Sequence, residues 1–475
     1  MSEKIAYHEH PDLVLLDYGD RRGICCLVVQ GADEEQVKAL LLPGVLCVYR
    51  QGNIAALLYA QDAGFSGVAA LEEALQALGL QGGLSGPFAL SASAKGCMLK
   101  ASLALRTGSA IAPGRTLYPM DEFGEAALLA AGREALLAQG FSPADFCDNA
   151  LWQMARMDAQ KETNYLESLD AYLSCGMDLK RAAQRLGVHR NTLAYRMERA
   201  QALFGLDLKD VNRCFELLFS LWLWRSMPDV KETLSMEALF DSGKAQAMLW
   251  RHAERCGGME EEQTAGFPCA LVCAGVTSLS DAARAALLGA LRGAAPENAA
   301  FAFDEDVVLA AVEPGQLEAF GERAQALCAQ AGCPMVITQA FPSGRIDQHA
   351  RICRMALCAA PGQITRTRDI CSTLFFMAVE RRTSLSPFLC EDVIRVMDDD
   401  AQKGTALSRS LYAYLLHFRD LKQAAAQIGM HRNTMEYHIR KIDALIGSDM
   451  DGARRFLMMC TYKMLALPDM GRYGI

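Results

Sequence analysis

The sequence predicts an α+β fold with several domains, in which one two-domain module occurs twice along 475 residues. The tetrapeptide His-Arg-Asn-Thr stands at 189–192 and again at 431–434, 242 residues later. At that single offset, 18 of the 37 residues from Ala171 to Asp207 are identical without a gap. Each of these regions follows a stretch in which apolar runs typical of strands alternate with helical patterns. A repeat of this length indicates one structural unit used twice.

Residues 1–108 are predicted to form a mixed α/β domain. The patterns predict a strand at 24–29, a helix at 34–42, strands at 46–49 and 54–59, a helix at 67–78, a strand near 87–90 and a helix at 93–105. Gln51-Gly52-Asn53 separates the second strand from the third, and its glycine and asparagine suit the positive φ of a hairpin turn. Residues 109–165 are predicted to be a helical connector, with Pro143 in a first helical turn.

Two short amphipathic helices are predicted on either side of Gly187, within residues 166–226. Their apolar residues recur at the spacing that places them on one face of a helix. Before the glycine these residues are Leu179, Ala182, Ala183 and Leu186, and after it they are Leu193, Met197, Ala200 and Leu203. Glycine supplies the positive φ that a sharp turn between them needs. Two helices joined in this way form a helix-turn-helix, and an apolar tail helix follows.

The same order of elements returns in the second half of the chain. Residues 227–262 are a polar connector that opens a second α/β domain at 227–360. The patterns predict a strand at 269–274, a helix at 280–292, strands at 300–303 and 307–312, a helix at 316–331, a strand at 334–339 and a helix at 348–359. A helical connector at 361–405 and a second helix-turn-helix at 406–467 complete the predicted organisation.

The outward face of the second helix in each pair is polar and basic near the start of the helix. Successive residues turn by about 100°, so that Asn191 points outward when Leu193 and Met197 point inward. Arginine can bind guanine and asparagine can bind adenine through paired hydrogen bonds, whereas threonine, tyrosine and further basic residues suit phosphates. The candidate DNA-binding residues are Arg190, Asn191, Thr192, Tyr195, Arg196 and Arg199 in the first copy, and Arg432, Asn433, Thr434, Tyr437, Arg440 and Lys441 in the second.

A solvated face of an ordinary helical hairpin is the alternative explanation for these residues. A face that is merely solvated has no need to repeat His-Arg-Asn-Thr, so the second copy favours DNA contact. His189 and His431 are expected to start their helices or to pack, and no chemistry is expected of them.

The runs from Leu166 to Leu208 and from Leu411 to Met450 resemble the C-terminal helix-turn-helix of PucR/CdaR-type transcriptional regulators, which act in purine catabolism and sugar-diacid use. The second run departs from the pattern at Met435, His438 and Ser448. The strand and helix order of the α/β domains resembles the degenerate GGDEF-like domain that precedes this helix-turn-helix. The resemblance implies a tandem duplication of a ferredoxin-like (GGDEF-like) α/β domain followed by an all-α helix-turn-helix domain, in a sequence-specific DNA-binding regulator.

Charge and cysteine usage agree with that expectation. The net charge is −9, but Lys and Arg outnumber Asp and Glu by six to two from Tyr172 to Ala200 and by five to two from Tyr414 to Ile442. An acidic chain with two basic patches is typical of a protein that touches DNA locally. The 17 cysteines show no CxxC spacing, which predicts reduced, packed thiols and no zinc site. No signal peptide or membrane span is predicted, so a cytoplasmic location is expected.

Enzymatic activity is not expected. An active GGDEF-type cyclase carries glycines and acidic residues on its β-hairpin, and the first hairpin here has no acid. The second hairpin has Asp304, Glu305 and Asp306 but lacks the paired glycines. No Walker loop, HExxH or GxSxG motif is present, and no cofactor or metal is predicted.

Two alternatives to a regulator that binds double-stranded DNA stay open. One is a scaffold protein with degenerate helix-turn-helix units that dimerises through its tail helices. The other is a nucleotide-binding sensor built on Asp304 and Asp306. A small-molecule effector and a homodimer are both compatible with the sequence, which identifies neither.

Overall fold

The computed structural model describes residues 6–8, 24–60, 67–86, 94–227, 268–303, 306–360, 364–447 and 452–467. The chain divides into two compact units. The first unit contains Met1–Gly132 and Thr383–Met464, and the second contains Arg133–Arg382 with Leu465–Ile475. Each unit therefore combines one α/β region with the helix-turn-helix region of the other half of the chain. The predicted polar connector at 227–262 lies almost wholly outside the described residues.

A mixed six-stranded sheet forms the α/β region of the first unit, in the order β1-β3-β4-β2-β5-β6. Its strands are β1 (Ala6–His8), β2 (Ile24–Gln30), β3 (Val45–Gln51), β4 (Ile54–Ala60), β5 (Gly82–Leu84) and β6 (Leu117–Pro119). The four central strands are antiparallel, whereas β1 pairs with β3 and β5 pairs with β6 in parallel. The helices are α1 (Glu34–Ala39), α2 (Val68–Leu78) and α3 (Ala94–Ile111).

Both faces of this sheet are covered, which explains the nearly continuous apolar runs in its strands. Cys26 and Val28 belong to the core on one face, together with Ala101 of α3. Leu27 belongs to the core on the other face, together with Leu75 of α2. Alternate residues of one strand therefore pack in separate cores.

Gly83 lets α3 cross β5 at close range. A Cβ atom at this position would lie 1.9 Å from the carbonyl oxygen of Ala101 and 2.7 Å from the backbone nitrogen of Leu105. No side chain fits there without moving the helix.

The first helix-turn-helix region follows the long helix α4 (Met120–Leu137). It contains α5 (Asn149–Lys161), α6 (Tyr165–Ser174), α7 (Leu179–Leu186), α8 (Arg190–Phe204) and α9 (Val211–Arg225). Asp158, near the end of α5, caps the start of α6 in place of the residue that directly precedes that helix. Its carboxylate accepts hydrogen bonds from the backbone nitrogens of Tyr165 at 2.8 Å and Leu166 at 2.9 Å.

Among the described residues, the second sheet repeats the order β3-β4-β2-β5-β6 of the first. Its path is β12-β10-β7-β9-β8, and a short strand, β11, also pairs with β7. The strands are β7 (Pro268–Gly275), β8 (Ala300–Phe303), β9 (Val307–Val312), β10 (Met335–Ile337), β11 (Phe341–Pro342) and β12 (Ile364–Arg366). The helices of this region are α10 (Asp281–Ala294), α11 (Leu317–Ala331), α12 (Ile346–Ala359) and α13 (Cys371–Glu380).

The second helix-turn-helix region reproduces the first at the predicted offset. It contains α14 (Glu391–Lys403), α15 (Leu407–Leu416), α16 (Leu421–Gln427), α17 (Arg432–Ile446) and α18 (Gly452–Leu465). The bounds of α14, α15 and α17 each lie 242 residues after those of α5, α6 and α8. Asp400 repeats the role of Asp158, because it accepts hydrogen bonds from the backbone nitrogens of Leu407 and Ser408, both at 2.7 Å.

Each tail helix packs inside its own unit on a helix from the other half of the chain. In the second unit, Phe219 of α9 contacts Phe375 and Phe376 of α13, with ring centroids 5.2 and 5.6 Å apart. The buried carboxylate of Glu216 accepts hydrogen bonds from the backbone nitrogen and the hydroxyl of Ser372 at 2.7 and 2.8 Å. Such aromatic and charge-assisted contacts fix the tail helix in one position.

The observed elements differ from the predicted ones at the sheet edges and at the end of one helix. The strand predicted near 87–90 falls outside the described residues, and the structure has β5 at Gly82–Leu84. The predicted connectors at 109–165 and 361–405 are not wholly helical, since they contribute β6 and β12 to the sheets. The helix predicted to end at residue 105 continues to Ile111. The α+β class with mixed sheets is confirmed.

Candidate nucleic-acid interface

The same capping interactions start and end the helices of both helix-turn-helix regions. Asp178 starts α7 by accepting hydrogen bonds from the backbone nitrogens of Lys180 and Arg181 at 2.8 and 3.1 Å. Gly187 ends α7 with φ of 65°, the left-handed conformation that glycine adopts without strain. His189 then caps α8, because its Nδ1 accepts a hydrogen bond from the backbone nitrogen of Asn191 at 3.3 Å.

The second copy repeats these interactions. Asp420 accepts from the backbone nitrogens of Lys422 and Gln423 at 2.9 and 3.0 Å. Gly429 has φ of 69°, and Nδ1 of His431 accepts from the backbone nitrogen of Asn433 at 3.2 Å. Both histidines therefore start helices, as expected. The two caps fix the direction in which α8 and α17 leave their turns.

The inner faces of α8 and α17 are buried, and their first turns are exposed. The buried side chains are Leu193, Met197 and Ala200 on α8, and Met435, Ile439 and Ile442 on α17. The exposed candidates are Arg190, Asn191, Thr192 and Arg199 on α8, and Arg432, Asn433, Thr434, Arg440 and Lys441 on α17. Tyr195 and Tyr437 are 59% and 55% exposed, an unusual state for tyrosine that both copies share. These candidates are thus accessible on both helices.

Arg196 and His438 occupy the flank of their helices instead. Nη1 of Arg196 donates a hydrogen bond to the hydroxyl of buried Ser168 at 3.3 Å. Nδ1 of His438 lies 2.7 Å from the hydroxyl of Ser410, which is the equivalent serine. Burial lowers the pKa of His438, Lys441 lowers it further, and Asp400 partly opposes them. Arg196 is thus a candidate of the first copy whose side chain is hydrogen-bonded to the fold.

Glu436 is a residue of this face that sequence reasoning missed. Its carboxylate accepts a hydrogen bond from Arg440 at 2.7 Å, and Nζ of Lys441 lies 4.7 Å from the centre of the Tyr437 ring. The equivalent of Glu436 in the first copy is Ala194. Position-by-position comparison at the repeat offset would have found this difference. The basic side chains of the second copy are therefore partly engaged with their neighbours.

Among the described residues, no group of three or more His, Cys, Asp or Glu side chains could hold a metal ion. The described cysteines are free thiols and, except for Cys175, are buried. Burial raises the pKa of Cys269, for example, to about 12, and such thiols are unreactive. Asp304 and Glu305 of the second hairpin lie outside the described residues.

Comparison with known proteins agrees with this geometry. Residues 165–223 and 407–460 both match the family described as PucR C-terminal helix-turn-helix domain. The chain carries two PucR-type helix-turn-helix domains. The first match begins at the first residue of α6, and the second begins at the first residue of α15.

Two relatives from Bacillus subtilis (strain 168) share sequence with the chain over a short region. The purine catabolism regulatory protein is 34% identical over 77 residues, which are 16% of this chain and 14% of that protein. The DNA-binding transcriptional activator AdeR is 28% identical over 74 residues, 16% of this chain and 18% of that protein. The chain thus spans less than a fifth of either relative, about the extent of one PucR-type domain.

A solved structure, the regulator of polyketide synthase expression from Bifidobacterium adolescentis, superposes with a TM-score of 0.21 at 16% identity. The superposition covers 45% of this chain and 82% of that one. In the chain as described, no helix combines the length and the apolar character that crossing a membrane requires.

Proposed function

We propose that the chain is a sequence-specific, DNA-binding transcriptional regulator of PucR/CdaR type that reads the major groove with two recognition helices, α8 and α17. The observation that carries this proposal is the repeated exposed face, on which both copies offer arginine, asparagine, threonine and tyrosine in the first two turns. The two PucR-type domains and the names of the relatives support it. No catalytic role is proposed.

The residues of each face have different proposed roles. Arg190, Asn191, Arg432 and Asn433 stand in the first turns, which a recognition helix places against base edges. Thr192, Tyr195, Arg199 and their counterparts Thr434, Tyr437 and Lys441, together with Arg440, would contact phosphates and set the register. Arg196 is proposed as a phosphate contact that Ser168 holds beside the helix.

The proposed organisation is a duplicated module. Each module would consist of a ferredoxin-like, GGDEF-like α/β domain and an all-α helix-turn-helix domain, with the boundaries predicted from the sequence. The matching strand order of the two sheets supports this duplication. One chain would thereby present two reading helices, suited to half-sites one helical turn, about 34 Å, apart.

A binding titration with the full chain tests this function. Arg190→Ala and Arg432→Ala are each expected to weaken binding to the selected operator by about 1–3 kcal/mol, because each removes a bidentate base contact. Arg323→Ala, on an exposed face of α11, is the matched control and should bind like the wild type. Fluorescence anisotropy at several salt concentrations gives the affinities.

The salt series decides between DNA binding and a scaffold role. Affinity should fall steeply with salt, because lysine and arginine displace counterions from phosphates. A flat salt response, with both variants equal to Arg323→Ala, would favour the scaffold and contradict the regulator.

A further inference from the structure

A cavity of about 150 Å³ in the second unit joins the second sheet to the first PucR-type domain. Phe204, the last residue of α8, lies in its wall, as does Arg213 of α9. Ile337 at the end of β10 and Arg366 at the end of β12 also line it. DNA recognition by the first turns of α8 does not use any of these residues.

Three arginines line this cavity, and two of them form close pairs with carboxylates. Arg213, only 8% exposed, forms an ion pair with Asp148 at the start of α5. Arg366 makes two hydrogen bonds to Glu318, at 2.8 and 2.7 Å. These pairs hold two guanidinium groups in place.

Arg368, the third arginine, is not satisfied in the same way. Its Nε is buried and has no hydrogen-bond partner among the described residues, since Asp369 Oδ1 lies 3.8 Å away. Its carbonyl oxygen accepts a hydrogen bond from Nη1 of Arg213 at 2.5 Å, so the two residues are tied together. A buried donor without an acceptor is unfavourable, although the side chain of Arg368 as a whole is 40% exposed.

The first unit has the opposite charge at the equivalent position. Arg366 pairs with Ile337 across β12 and β10, as Pro119 pairs with Leu84 across β6 and β5. Two residues further along each chain segment, Arg368 therefore corresponds to Asp121. Burial raises the pKa of Asp121, and Asp392 raises it further. The arginine is thus a property of this cavity, since the repeated fold accepts an acid at the same place.

We propose that this cavity binds a small anion, a phosphate or a carboxylate, with the guanidinium group of Arg368 as its main donor. A cavity of this volume holds several water molecules, so it has room for an anion of the size of phosphate. A bound anion would link Arg368 beside the sheet to Arg213 on the tail helix. The cavity would then be an effector site that adjoins the end of the first recognition helix.

Isothermal titration of the full chain with inorganic phosphate and with acetate tests this site, with sodium chloride at equal ionic strength as the reference. The wild type and Arg323→Gln, which removes an exposed positive charge of the same unit, are expected to bind one of the two anions. Arg368→Gln is expected to bind it about tenfold more weakly, since it loses a charge-assisted hydrogen bond. The anion that binds identifies the phosphate or the carboxylate as the source.

Equal binding by Arg368→Gln and Arg323→Gln would overturn the proposal, because the response would then be general to the surface. Binding of neither anion at millimolar concentration would also overturn it. If circular dichroism shows that Arg368→Gln is unfolded, Arg368→Lys replaces it. Lysine keeps the charge but loses the planar donors, so weaker binding than Arg323→Gln supports the site and equal binding contradicts it. The outcome does not depend on DNA binding.

Discussion

Ala194 and Glu436 stand at equivalent positions of the two proposed recognition helices, and their side chains differ in size and charge. A carboxylate in the major groove can accept a hydrogen bond from the amino group of cytosine, and it repels phosphates. Glu436 also binds Arg440, whereas Glu198 occupies the position of Arg440 in the first copy. The two helices are therefore expected to prefer different half-sites, although their first three residues are identical.

Exchanging these side chains should exchange the preference. Glu436→Ala in an Arg190→Ala background reports mainly on α17, and Ala194→Glu in an Arg432→Ala background reports mainly on α8. Each exchange is expected to change discrimination at one base pair by about 1–3 kcal/mol, measured by selection from a random DNA pool. Ala202→Glu, at the exposed far end of α8, adds the same charge and should leave the preference unchanged. Identical half-sites before and after the exchange would rule this difference out.

His438 gives the second copy a dependence on pH that the first copy lacks. Burial and Lys441 hold the pKa of His438 below its ordinary value. The unfolded chain therefore binds more protons than the folded chain in mildly acidic solution, and the stability of this unit falls as the pH falls through the ordinary imidazole range. Arg196 stays charged throughout that range.

Urea unfolding at about pH 8 and about pH 5.5 measures this linkage. The wild type should lose more stability between the two values than His438→Gln does. Arg196→Gln is the matched control, and its loss should equal that of the wild type. Equal losses for all three proteins would show that His438 titrates without consequence for the fold.

At the scale of elements, Asp158 and Asp400 join the last turn of one helix to the first turn of the next. Each accepts two backbone hydrogen bonds and one from a threonine hydroxyl. Burial would raise the pKa of Asp400, but the hydrogen bonds from Thr405, Ser408 and Leu407 outweigh it and keep the pKa below its ordinary value. The charged form is therefore the one that holds the start of α15.

Removing either carboxylate should destabilise its own unit. Asp158→Ala and Asp400→Ala are each expected to lower the free energy of unfolding by about 2 kcal/mol, since hydrogen bonds to a charged acceptor are lost. Gln160→Ala and Gln402→Ala, exposed positions on the same helices, should have little effect. For Asp400→Ala the difference from the wild type should shrink in acid, where the wild-type carboxylate is protonated. An effect no larger than that of the glutamine variants would contradict this role.

The sequence predicted the long elements well and the short strands poorly. Local sequence was enough to predict the hairpin strands β8 and β9 and the helix α8, because each has a recognisable pattern of apolar residues. The strands β5, β6 and β12 have only three residues each, which is too short to show a pattern of apolar residues. They form because a neighbouring strand supplies their hydrogen bonds. Gly83 within β5 hides that strand further, although the approach of α3 requires a glycine there.

The candidate interface followed from the repeat, but its finer contacts did not. The exposure of Asn191 and Asn433 was predictable, because both the helical spacing of apolar residues and the repeat can be read from local sequence. The pairing of Arg440 with Glu436 was readable only by comparing the copies. The cavity around Arg368 was not predictable, because its walls come from segments up to 220 residues apart, from Asp148 to Arg368.

At the scale of the whole molecule, regions from different halves of the chain pack together. Each compact unit contains an α/β region from one half and a PucR-type domain from the other. The sequence repeat identifies the modules but gives no information about which copies pack together. Loss of either half would therefore remove part of the core of both units.

Selection of DNA from a random pool by the full chain tests most directly whether two recognition helices read one duplex. The wild type is expected to enrich a site with two half-sites about one helical turn apart. Arg190→Ala should lose one half-site, Arg432→Ala the other, and the double variant both, while Arg323→Ala keeps them. A pool that stays random with the wild type, or an enriched site that the double variant still selects, would contradict DNA reading by α8 and α17.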